Sequence, residues 1–171
     1  MNTANISLGT YPPYFETYIS KVGNEPIFEA LNNSTAETIT LLSGLSETQL
    51  LHKYAPEKWS IKEVIQHIID TERIFCYRAL SFARGESISL PGYNHDEYVK
   101  NSQADERSKE DLVRELRSVR HVTFELFKSF TTKMLDRIGT ANEKEISVSA
   151  IIYIIVGHEI HHRSIINERY L

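Results

Sequence analysis

Apolar residues recur at helical spacing in four long stretches of this sequence, and no stretch alternates convincingly as a strand would. The first stretch carries Ile27, Leu31, Ile39 and Leu42, with Pro26 in a first-turn position and Gly44 as its stop. The second opens at the tetrapeptide SIKE, where Ser60 and Glu63 form a capping box. Its stripe is Ile61, Val64, Ile65, Ile68, Phe75, Ala79 and Phe82, and Gly85 ends it. The third opens at Ser108 and runs to about Thr131 through Leu112, Leu116, Val119, Phe124, Phe127 and Phe130. The fourth opens at Ser147 or Ser149 and runs to about Arg169. An all-α four-helix bundle is the economical way to bury four such stripes.

The connections complete the layout. Residues 1–25, with Pro12, Pro13, Gly9 and Gly23, are expected to form an irregular arm with a short helical turn near Tyr14 to Ser20. Residues 26–171 form the single bundle domain. A polar crossover from Glu86 to Arg107 contains LPGYNHDEYV and one short predicted helix near Asn94 to Lys100. Its length allows the second and third helices to run parallel. Residues Thr132 to Ile146 connect the last two helices, with Gly139 read as a turn.

Bulk properties exclude several functions. The 171 residues carry a formal charge of -4 and no strongly basic run, which argues against nucleic-acid binding. The N-terminus lacks the basic-then-apolar order of a signal peptide, and no apolar stretch reaches the roughly 20 residues of a membrane span. The single cysteine, Cys76, allows no internal disulfide and reads as a small core residue. A cytoplasmic protein is expected.

The fourth helix carries the chemistry. In GHEIHHRSII, His158 and His162 are four residues apart and share one helix face with Ile151, Ile154, Ile155, Ile165 and, at the helix end, Arg169. Two imidazoles on an apolar face at this spacing suggest a metal ion. His161 lies to the side, about 60° from His158. For a third ligand the candidates are His52, His67, His95 and His121. His52 and His95 fall in connections, and His121 sits between Arg120 and Val122. His67, at the edge of the second helix's stripe, is the choice, against the plain alternative of a satisfied helix histidine. HEIHH also matches the zinc-protease pattern H-E-x-x-H, but Ile165 and Glu168 stand where its extended form needs Gly and His. Glu159 remains a candidate base.

Two segments together, EKWSIKEVIQHIIDTERIF and ISVSAIIYIIVGHEIHHRSIINERYL, resemble the DinB-like, YfiT-like metalloenzyme superfamily, and LPGYNHDEYV resembles its crossover. The resemblance implies an up-down-down-up bundle and a divalent metal, zinc or nickel, held by His67, His158 and His162. It also implies a homodimer and, in some relatives, use of a low-molecular-weight thiol such as bacillithiol or mycothiol. Thiol S-transferase-like or hydrolase-like chemistry on a small molecule is therefore expected. The alternative is a non-catalytic bundle that binds a metal or small ligand. Arg78 and Arg169 are candidates to steer an anion, though a solvated charge at the rim is the plainer reading of both. Trp59 is read as a packing anchor or pocket wall, and Tyr93 and Tyr98 as crossover residues that pack the loop or close over the site.

Overall fold

The computed structural model describes residues 6–171. After a 3-10 turn at Pro13–Phe15 come α1 (Glu16–Ile19), α2 (Ile27–Ser43), α3 (Glu47–Leu50), α4 (Ile61–Ala83) and α5 (His95–Asn101). A second 3-10 turn precedes α6 (Lys109–Lys128) and α7 (Thr132–Leu135). Strands β1 (Ile138–Ala141) and β2 (Lys144–Ser147) follow, then α8 (Val148–Arg169). The long helices α2, α4, α6 and α8 are the expected bundle.

Local sequence starts each helix. Ser60 accepts from the Glu63 amide while Glu63 reaches back to the Ser60 amide at 2.8 Å, so the capping box is complete. Ser108 and Ser147 cap α6 and α8 through the third helical amide. Pro26 is the residue before α2, not its first turn: its ψ of 130° is extended, and Ile27 begins the helix.

The bundle runs up, down, down, up. Lys109 at the start of α6 donates to Leu45 O, just past the end of α2, so these two helices are antiparallel. Lys62 near the start of α4 donates to Arg107 O at 2.6 Å, so α4 and α6 start together and run parallel. Tyr170 after α8 donates to Trp59 O before α4, which makes α8 antiparallel to α4. Both α2 and α4 pack chiefly on α6 and α8. The pairs α2/α4 and α6/α8 therefore lie across the diagonals, while α4 and α6 are side by side and the 86–107 crossover spans the length of the bundle.

Two expectations are corrected. The 132–146 connection contains a β-hairpin, with Ile138 opposite Ser147 and Ala141 opposite Lys144. Gly139 is in strand β1, not a turn. A Cβ there would stand 2.0 Å from the Phe82 ring, so the strand lies against α4 where no side chain fits. The turn is made by Asn142 and Glu143, both left-handed (φ 49° and 61°), the geometry of a two-residue hairpin loop. The hairpin also anchors two other segments. Leu90 N donates to Thr140 O and Asn142 N to Leu90 O, tying down the crossover. Ser147 N donates to Thr10 O, tying down the arm.

The arm is part of the core. Ile6, Ile19 and Val22 are buried with the α8 isoleucines. Gly157 explains how: a Cβ there would stand 2.1 Å from the Tyr18 carbonyl oxygen. The missing side chain lets α1 lie directly on α8, one residue from His158. No helix among the described residues is long and apolar enough to cross a membrane.

Candidate metal centre

Three histidines converge where α4 meets α8. His158 Nε2 lies 3.1 Å from His67 Nε2 and 3.0 Å from His162 Nε2. The ligating atoms of the three all fall within 4.8 Å of one another. His67 and His158 are buried and His162 is nearly so. The i, i+4 spacing on α8 stacks two rings, and the antiparallel α4 presents the third from the facing helix.

These side chains cannot satisfy one another. A neutral imidazole has one N–H and one in-plane lone pair. His158 Nε2 faces two other ring nitrogens and can donate to or accept from only one in good geometry, so an orphaned contact remains. Charging is also disfavoured. Burial first, and neighbouring imidazoles second, push His67 down to about 4 and His162 down to about 3. His158 is pushed well below its ordinary value by the same causes. Three neutral nitrogens aimed at one point fit a divalent metal ion. Outside them, Thr71 Oγ1 lies 3.4 Å from His67 Nδ1 and 2.7 Å from the Tyr93 hydroxyl. A proton on Nδ1, donated to Thr71, leaves the Nε2 lone pair pointing inwards.

The triad lines a cavity of about 410 Å³. Five segments wall it. The arm contributes Pro12, Tyr14, Phe15 and Tyr18, and α4 contributes Thr71, Phe75 and Arg78 beyond His67. Trp59 precedes α4, Gly92, Tyr93 and His95 come from the crossover, and Asn142 and Lys144 from the hairpin.

Each sequence expectation has a place. Trp59 is both anchor and wall, its ring centroid 4.8 Å from that of His67. Tyr93 lines the cavity, whereas Tyr98 is half-exposed outside it and packs at a tilt on Tyr93. His161 sits beside the triad, 5.2 Å from the Tyr18 ring. His121 is exposed in a groove between α2 and α6, and His52 packs on Tyr170. Arg169 is exposed over the Tyr54 ring. Arg78 departs from the rim reading: it is 7% exposed and lines the cavity. Cys76 bonds Thr123 at 3.1 Å, and burial pushes its thiol up to about 12, so it is no nucleophile.

Glu159 is the main correction. Its carboxylate does not line the cavity but turns between α4 and α6, where Arg120 donates to it at 3.0 Å. Arg120 also pairs with Glu72 at 2.9 Å, and Thr123 donates to Glu72 at 2.5 Å. The one-residue step from His158 rotates Glu159 by about 100°, enough to send it to a different helix interface. Two residues were missed. Tyr18 covers the triad, with its ring 5.3 Å from that of His158, but its arm shows no periodic signal. His95 falls in a connection by its sequence, yet its ring lies 5.8 Å from that of His67 and 5.9 Å from that of Trp59.

Comparison with known proteins bears on the family and the fold. Residues 30–166 match the family model described as the DinB superfamily. The structure of YfiT from Bacillus subtilis, described as a probable metal-dependent hydrolase with an unusual four-helix bundle topology, superposes with a TM-score of 0.77. It shares 15% identity, with 98% of this chain and 95% of that chain covered, so the likeness speaks to the fold. No curated protein matches the sequence. With the family model spanning both histidine blocks and most of the chain, this protein belongs to the DinB superfamily.

Proposed function

We propose that this protein is a metal-dependent enzyme in which His67, His158 and His162 hold one zinc or nickel ion and the cavity admits a small-molecule substrate, for hydrolase-like or thiol S-transferase-like chemistry. The observation that carries this reading is the convergence of three neutral Nε2 atoms, two buried and one partly so, at the wall of an open cavity. The family and the description of YfiT support it. A divalent ion, when bound, lowers the pKa of a coordinated water towards ~7 or deprotonates a coordinated thiol. The chain's own residues hold and shield that centre. Thr71 fixes the His67 tautomer, Trp59 and Tyr18 cover the rings, and Phe15 and Phe75 exclude water from the approach.

A second reading has one observation in its favour. Among the described residues that line the cavity none is Asp or Glu, so none of them offers a carboxylate base. A non-catalytic bundle that binds metal and a small ligand would need none.

Metal analysis of stripped and zinc-reconstituted protein tests the ligand set. One equivalent is expected for the wild type, and at least a tenfold loss of affinity for His67→Ala and His162→Ala, in line with the loss of a ligand. Full, tight zinc binding in both variants would show the assignment to be wrong. Thiol added to the cobalt-substituted protein then separates the two readings. With an electrophilic acceptor or an ester also supplied, enzyme chemistry joins thiol to the acceptor or hydrolyses the ester in a metal-dependent way, whereas a binding protein shows a spectral shift without turnover.

A further inference from the structure

The cavity's charge is one-sided. Arg78 and Lys144 are its ordinary cations, and among the described residues that line it none is acidic. Arg78 is 7% exposed, and no carboxylate pairs with it among the described residues. Among the described residues, its one hydrogen bond runs from Nη2 to the Pro91 carbonyl oxygen at 3.0 Å. A buried guanidinium without a counter-ion is costly. Burial lowers its pKa, but not to a degree that discharges an arginine. A charge kept at that cost, inside a cavity, points to an anion.

Geometry places that anion relative to the triad. On α4, His67, Thr71, Phe75 and Arg78 follow one another at spacings of four, four and three, so they form one stripe facing the cavity. The stripe is about 16 Å long at the helix backbone. The Arg78 guanidinium carbon lies 5.3 Å from the centre of the Phe75 ring, so the side chain folds back along the stripe towards the histidines. Between the two ends stand aromatic walls: Phe75, with Phe15 edge-on at 5.9 Å, and Tyr18. The volume suits a molecule of small-ligand size.

We infer that the cavity selects a small organic acid with an apolar or aromatic body, whose carboxylate pairs with Arg78 while its other end reaches the histidine triad. This deepens the proposed function and rests on the triad being the reacting end. Arg78 is then a specificity residue. Its planar fork receives the carboxylate side by side, and Lys144 at the hairpin adds charge at the mouth.

Trp59 lines the cavity and is the chain's single tryptophan, so its fluorescence reads occupancy. The probes are 4-phenylbutyrate and its uncharged amide, titrated into zinc-loaded and zinc-stripped protein. The acid is expected to bind about tenfold or more tightly than the amide in both forms, as a charge-assisted pair would give. Arg78→Gln should abolish the preference and Arg78→Lys should keep part of it. The acid-amide comparison in the wild type needs no variant, so a folding defect in Arg78→Gln leaves the test intact. Equal binding of acid and amide overturns the inference. So does a preference that is lost when zinc is removed and survives Arg78→Gln, because the carboxylate would then be ligating the ion. In that case the proposed function stands. If zinc does not bind but the Arg78-dependent preference remains, the metal reading fails while the anion site holds.

Discussion

At the scale of residues, the site is built from groups held in an uncharged state. His67 and His162 ionise near 4 and 3 in the folded protein, against an ordinary value of 6.5. The native state therefore binds fewer protons than the unfolded chain once the pH falls below about 6.5. The resulting stability is present above that pH and is lost as the pH falls towards 4 and below. For metal-free protein, urea midpoints should be clearly lower at pH 5 than at pH 7.5, with zinc progressively failing to rescue at acid pH. In His67→Ala the difference between the two pH values should shrink. An unchanged slope in that variant would show that His67 is not the titrating group.

At the scale of elements, α8 is clamped from two sides by charge. Arg163 donates to Ser34 and Thr38 of α2 at 2.9 Å and 3.1 Å. Arg120 of α6 sits between Glu72 of α4 and Glu159 of α8, all of them buried. That trio fixes the rotation of α8 one residue from His158 and that of α4 one residue from Thr71. Burial raises the Glu72 carboxyl, with Arg120 opposing. Removing the cation strands two carboxylates in an apolar interface. Arg120→Ala should cost about 3–5 kcal/mol in chemical denaturation, whereas the Arg169→Ala change at an exposed helix end should cost less than about 0.5 kcal/mol. Comparable losses in the two variants would contradict the role given to the trio. The helices themselves were visible in the sequence, since caps such as Ser60 and Ser108 act within four residues. The hairpin was not. Its strands are four residues each, too short to show alternation. Gly139 is a glycine because Phe82 occupies its side-chain space, a distant cause that looks like a turn when only neighbours are read.

At the scale of the whole molecule, the triad joins α4 to α8, and the arm, crossover and hairpin close over it. A ligand that binds this assembly and not the unfolded chain must stabilise all of it. Zinc at a hundredfold excess over its dissociation constant should add about 2.7 kcal/mol, read as a rise in Tm that chelator reverses and His162→Ala lacks. A Tm indifferent to zinc would argue against a site shared between the helices. The sequence by itself determined which segments are helical, that His158 and His162 share one apolar face, and that the crossover is long enough to let α4 and α6 run parallel. Those properties depend on spacing and on contacts between near neighbours along the chain. Only the tertiary structure decided that His67 meets the pair, that Glu159 turns away to Arg120, that Arg78 is buried in the cavity, and that Tyr18 and His95 close over the site. Each of these depends on which helix faces which and at what rotation, and that is set by packing among residues tens of positions apart.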